Sequence, residues 1–176
     1  AIFLGTTIYA DAFFVAFRLP NTFRRLFAEG TFNAAFIPSY AKANLKSKKE
    51  GKIFADEVFN LLLYILIFII IIVEIFTPVV VYIIAPGFYA DSEKLSLAIE
   101  FTRITFPFLL FVSLSSMLSG ILNTNNKFAA AAAAPIALNI VLILSLLLAY
   151  NLKLNIAKSL SIGVTLSGII QFLMLI

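Results

Sequence analysis

Five charged residues fall within one short apolar stretch of this chain: Asp11, Arg18, Arg24, Arg25 and Glu29. Asp11, Arg18 and Arg25 are spaced by seven, about two helical turns, so a continuous helix puts them on one stripe. Glu29 lies four beyond Arg25 and extends that stripe, while Arg24 points about 100° to one side. Pro20 interrupts the register, so the two halves can rotate relative to each other. Arginine forks in an apolar setting match phosphate or carboxylate, and the chemistry on offer is anion recognition. The competing use is internal: ion pairs with Asp11 and Glu29, helped by snorkelling near an interface. Three arginines over about two turns exceed what such pairing needs, which favours a cationic binding wall.

Other polar residues sit deeper in apolar sequence. Glu74 stands ten residues before Ile84. It reads as a proton or ion site, or equally as a carboxylate near water or paired with an arginine in a tilted span. Arg103, followed by Pro107, reads either as an interface anchor or as a substrate contact. Ser113, Ser115, Ser116, Ser119 and Gly120 form a small-residue face suited to helix packing, and Asn139 and Gln171 read as interhelical hydrogen bonds. With no Cys and no His, thiolate and imidazole metal sites and their nucleophilic or base chemistry are absent. No catalytic residue, metal or cofactor is expected, and no phosphate loop or dinucleotide fingerprint appears.

The elements that must position these residues are membrane helices. The chain is 62% hydrophobic and 12% charged, with a mean hydropathy of +1.06. Soluble domains run nearer about 45–50% apolar and 25% charged, so the excess apolar surface must face lipid. Runs at 58–84, 96–122, 129–150 and 156–176 each suit a helix of about 20 apolar residues. The segment 7–40 is different. Its aliphatic and Phe residues favour insertion by roughly 5 kcal/mol, but each arginine at a helix centre costs about 2.5–3.5 kcal/mol. It can span only with its charged face toward a bundle or a wet cavity, where neighbours or water re-satisfy the carbonyls freed by Pro20 and Pro38.

The loop 41–53 holds Lys42, Lys46, Lys48, Lys49 and Lys52, which places it in the cytoplasm. Alternation then puts 85–95 outside, 123–128 inside and 151–155 outside. Lys153 and Lys158 near the last outer loop run against this scheme, but the five-lysine bias is larger. The net charge of +4 follows from this topology, and no nucleic-acid partner is expected. The chain opens on Ala1 and stops at Ile176 inside an apolar run, which suggests a helix cut open at each end.

Asp11-Ala-Phe-Phe-Val-Ala-Phe-Arg18-Leu-Pro20-Asn21, running into Arg24-Arg25-Leu-Phe-Ala-Glu29-Gly30, resembles the second-helix signature of the MurJ (MviN) lipid II flippases. Ala85-Pro86-Gly87-Phe88, Arg103-Ile104-Thr105-Phe106-Pro107 and Gly120-Ile-Leu-Asn123-Thr124 with Lys127-Phe128 look like the same family, in its order. The resemblance implies a member of the multidrug/oligosaccharidyl-lipid/polysaccharide exporter superfamily, with two six-helix lobes around a cavity and two further helices. Arg24 matches the family's essential cavity arginine, Asp11 and Glu29 its important acidic positions, and Arg18 a position that is basic there. The fold so implied is an all-α polytopic membrane protein, with about five to six transmembrane helices forming one lobe of a two-lobe transporter. Its parts would be the end of helix one at 1–6, helix two at 7–40 and the four apolar spans, with most of helix one and the second lobe missing.

The function expected from the resemblance is transport of lipid II, an undecaprenyl-pyrophosphate-linked disaccharide peptide, from the cytoplasmic to the outer leaflet of the bacterial inner membrane. Arg24, Arg18, Arg25, Asp11 and Glu29 would bind it, with Glu74 a candidate ion or proton site. The implied partners are this substrate, membrane lipids and the second lobe. Alternatives are an exporter of drugs or other polyprenyl-linked oligosaccharides, a scaffold whose arginines bind anionic headgroups, or a membrane-embedded transferase. The last is weakened by the lack of a carboxylate cluster facing one loop. Further spans downstream carrying Arg or Lys would favour a transporter over a scaffold.

Overall fold

The structure, a computed structural model, describes residues 5, 7–28 and 31–176, without the side chains of 26–28 and 31. The expected helix end at 1–6, apart from residue 5, lies outside the described residues, as does Glu29. All regular elements among the described residues are helical: α1 (Ile8–Ala28), α2 (Thr31–Lys46), α3 (Lys48–Ile75), α4 (Thr77–Ile84), α5 (Ser92–Thr105), α6 (Phe108–Thr124), α7 (Phe128–Asn151) and α8 (Ile156–Leu173). A short 3-10 segment, Pro86–Ala90, joins α4 to α5.

The boundaries depart from the sequence expectations in four places. Segment 7–40 is two helices, and the second runs on to Lys46. The expected loop 41–53 is helical on both sides of Ser47. The hydroxyl of Ser47 accepts from the Glu50 backbone N–H at 3.1 Å and starts α3 ten residues before the predicted span. There α2 turns back on α3 at close range: a Cβ on Gly51 would lie 2.9 Å from the Cα of Asn44. The predicted helix at 58–84 breaks at Phe76, and that at 96–122 begins at Ser92 and breaks before Phe108.

Proline explains the breaks, and threonine hydroxyls repair them. Pro78 cannot donate to the Glu74 carbonyl, and the buried Thr77 hydroxyl sits 2.9 Å from that oxygen and 2.7 Å from the Val73 carbonyl. Pro107 resets α5 into α6, and the Ile104 carbonyl beside this break accepts from Thr165 of α8. Pro20, Pro38 and Pro135 stay inside α1, α2 and α7.

Helix α6 is the hub, touching α1, α2, α3, α7 and α8. Its face of Ser113, Ser115, Ser116 and Gly120 is buried, which suits close approach of several backbones. One apolar core joins α1, α4, α5, α6 and α8 through Phe13, Val81, Phe101, Phe108 and Val164. A second joins α2, α3 and α6 through Phe36, Leu62, Leu66, Leu109 and Met117. Phe32, Phe36 and Tyr40 stack along α2 at 5.6 and 5.8 Å, and Phe54 of α3 stacks on Phe36 at 6.0 Å. The α7–α8 pair closes tightly, since a Cβ on Gly163 would lie 2.5 Å from Ser145 Oγ. The outward faces of α3 and α7 remain apolar and exposed, with Leu61, Phe68, Ile140 and Leu148 all uncovered, as a lipid-facing surface requires. Among the described residues, four helical stretches are long and apolar enough to cross a membrane: Lys48–Ile75, Ser92–Thr124, Phe128–Asn151 and Ile156–Leu173.

Candidate anion-binding cavity

The turn of α1 after Pro20 brings Arg24 to a half-open cavity of about 290 Å³ lined by α2, α6, α7 and α8. Asn21, one position past Pro20, accepts from Arg24 Nε at 3.2 Å and helps set the direction of the guanidinium. Polar groups line the rest: Asn33 from α2, Ser115, Ser116, Ser119 and Asn123 from α6, and Gln171 from α8. Asn33 donates to Ser116 Oγ at 2.8 Å, tying α2 to α6 at the wall. Ser115 is buried, and its hydroxyl has no hydrogen-bond partner among the described residues. Apolar walls come from Ile37, Val112 and the Ala131–Leu138 side of α7. One cation among neutral donors and acceptors suits a phosphate or carboxylate joined to a hydroxyl- or amide-rich body.

Arg18, Arg25 and Asp11 do not form one wall with Arg24. Arg18 lines a separate hollow of about 390 Å³ with Leu19, Thr22, Ile83 and Ile84. Arg25 is exposed and lines neither space. Asp11 pairs with Lys94 of α5 at 2.6 Å, and the same ammonium sits 5.1 Å from the centroid of Phe88. Asp11 is therefore engaged near the Pro86–Ala90 end and does not face Arg24. The seven-residue spacing does keep Asp11, Arg18 and Arg25 on an exposed side of α1, but successive turns of that side face different neighbours. Glu74 is half-buried at the α3–α4 junction, with Oε1 enclosed and unpartnered among the described residues, in electrostatic reach of Arg103. It lines neither cavity. Among the described residues no group of three or more His, Cys, Asp or Glu could hold a metal.

Several cavity residues are not legible as such in the sequence. Ser115 and Ser119 read as packing, and nothing in the sequence marks Asn33 or Asn123 as site residues. Gln171 reads as an interhelical bond, yet its amide donates to the Ser167 carbonyl of its own helix at 3.2 Å. Asn139, given the same reading, is exposed on α7.

The family model described as "Lipid II flippase MurJ" matches residues 1–176. The chain belongs to the MurJ family. It is 44% identical over 171 residues to a probable lipid II flippase MurJ of Rickettsia prowazekii, covering 97% of this chain and 34% of that protein. It is 46% identical over 173 residues to the Rhizobium tropici counterpart, covering 96% of this chain and 32% of that one. A solved structure titled "Lipid II flippase MurJ, inward closed conformation" superposes with a TM-score of 0.81 at 30% identity, over 97% of this chain and 35% of its own. The chain thus spans about a third of the length of these MurJ relatives. It is an all-α lobe of a two-lobe, MurJ-like architecture, set as a multi-pass protein in the bacterial inner membrane.

Proposed function

We propose that this chain is the amino-terminal lobe of a flippase, a transporter and not an enzyme, that moves lipid II from the cytoplasmic to the outer leaflet by alternating access. The observation that carries this reading is Arg24 at a cavity lined by Ser115, Ser119, Asn123 and Gln171, in a chain of the MurJ family. A pyrophosphate leaving water needs donors of opposite charge, and the neutral groups beside Arg24 match the hydroxyls and amides of a sugar-peptide head. The rest of the full-length protein supplies the second lobe and the opposite wall, and membrane lipids surround both.

In this reading α1 and α2 together cross the membrane as a fifth span beside the four apolar ones. The lysine-rich turn around Ser47 faces the cytoplasm and Pro86–Ala90 the outside. Arg24 contacts the pyrophosphate, while Arg18 and Arg25 contribute positive potential from flanking positions. Glu29 balances those cations, Asp11 is held by Lys94 at the outer end of α1, and Glu74 serves as an intramembrane ion or proton site. The test is depletion of the full-length protein with measurement of lipid II at the outer leaflet. Translocation that stops on depletion and returns on re-expression supports the proposal, and undiminished translocation overturns it.

A further inference from the structure

Pro20 lies inside α1 and has no N–H for the carbonyl of Ala16, one turn earlier. Ala16 and Pro20 are both fully buried, so water cannot take over that acceptor. The Thr105 hydroxyl reaches it from α5 at 3.2 Å. Thr105 is itself fully buried, and its oxygen also lies 2.9 Å from the Phe101 carbonyl and 3.3 Å from that of Thr102. A hydroxyl has a single proton, so a carbonyl of α1 and the carbonyls of α5 share one donor. Two residues later α5 breaks at Pro107, and the Ile104 carbonyl accepts from Thr165. Two threonines, one at the carbonyl that Pro20 leaves open and one beside the Pro107 break, therefore link α1, α5 and α8 in series.

The turn of α1 immediately after Pro20 delivers Arg24 to the cavity. Asn21 receives the Arg24 Nε–H, and Phe23 meets Phe106 edge-on at 6.4 Å beside the α5–α6 break. This turn follows directly on Pro20, and the carbonyl that Pro20 leaves without its N–H is held by Thr105. We infer that Thr105 is a positioning residue for Arg24: its hydroxyl ties α1 to α5 at the carbonyl opened by Pro20 and so braces the turn that carries the guanidinium to the cavity. The inference rests on the reading of Arg24 as the contact for lipid II.

Full-length protein carrying Thr105→Val, Thr105→Ser, Pro20→Ala and the Thr105→Val/Pro20→Ala pair separates bracing from mere filling of a carbonyl. Thr105→Val keeps the shape and removes the hydroxyl; Pro20→Ala returns an intrahelical donor to Ala16, so that its carbonyl no longer needs Thr105. Thr105→Val is expected to weaken lipid II binding about tenfold, the scale of one hydrogen bond, with Thr105→Ser within about twofold of wild type. The paired variant should recover the melting temperature and not the affinity. A second readout needs no substrate: the distance distribution between spin labels at Thr22, just past Pro20, and Ser96 on α5. It should shift or broaden in Thr105→Val and not in Thr105→Ser. If the labels respond while the wild-type protein fails to bind lipid II, the brace stands and the substrate reading falls. Unchanged distances with unchanged affinity in Thr105→Val overturn the brace. So does recovery of both melting temperature and affinity in the paired variant, because the hydroxyl then only satisfies an acceptor.

Discussion

Replacing Arg24 tests the proposed site most directly. The guanidinium is the only charged group among the described residues lining its cavity, so Arg24→Ala removes the cation from that wall while leaving the neutral lining in place. Losing one charge-assisted contact to a pyrophosphate costs about 1.5–3 kcal/mol, which is roughly 10- to 150-fold in affinity. Arg24→Lys keeps the charge but loses the planar fork and the Nε–H that Asn21 accepts, and should fall between Ala and wild type. Insertion should not suffer, since removing an arginine makes α1 easier to place in a membrane. The assay is lipid II at the outer leaflet in cells that depend on the full-length variant, beside its level in the membrane. The rival account, in which Arg24 serves only as an ion-pair partner, is narrowed by the structure. Asp11 is engaged by Lys94, so the acid left to pair with Arg24 is Glu29. Full translocation by Arg24→Ala, or recovery in Arg24→Ala/Glu29→Gln, would refute the substrate contact.

Three further outcomes are expected. Cysteine at Ser47, in full-length protein with other cysteines removed, should resist membrane-impermeant thiol reagents in intact cells, while Tyr89→Cys should label; the opposite pattern reverses the topology. Gly163→Ala should lower the melting temperature by the equivalent of about 1–3 kcal/mol, because its Cβ meets Ser145. Adding Ser145→Ala should recover part of that loss, the remaining contact being Ser145 Cβ at 3.0 Å; no loss would mean the α7–α8 pair separates freely. Asp11→Asn and Lys94→Gln should be non-additive in a double-mutant cycle, with a coupling of about 0.2–1 kcal/mol as for other exposed pairs; additive effects would exclude the ion pair from folding.

Legibility in the sequence is unevenly divided between fold and site. Apolar length alone locates the spans, because a bilayer demands it, and the Arg24 position is legible through its motif. Lysine-rich composition alone makes the connection around Ser47 look like a loop. The contrary signal is nevertheless present: Ser47 and Glu50 stand at the spacing of a capping box, and the Ser47 hydroxyl does start α3. The arginine stripe is a different case. Asp11, Arg18 and Arg25 do share an exposed side of α1, but spacing says nothing of what stands opposite: Asp11 meets Lys94, Arg18 lines a separate hollow, and the cavity takes Arg24, off the stripe.

The prolines show why the remaining detail is not readable locally. Pro20, Pro38 and Pro135 stay within helices, whereas Pro78 and Pro107 sit at breaks. Each proline removes the same N–H, so proline alone cannot predict which outcome results. At Pro20 the repairing hydroxyl arrives from distant sequence, with Thr105 reaching Ala16, and beside the Pro107 break Thr165 reaches the Ile104 carbonyl from α8. Only at Pro78 is the donor adjacent, in Thr77. The α6 serines pose the same difficulty. With helices on nearly every side of α6, no single periodic face is reserved for solvent or substrate. Ser116 reaches Asn33 and also lines the cavity, whereas Ser115 lines it with a hydroxyl unpartnered among the described residues. A serine's role there is decided by what stands opposite, and that partner belongs to another helix. The Thr105 variants probe this dependence, because they alter a residue on α5 and read the consequence at an arginine on α1.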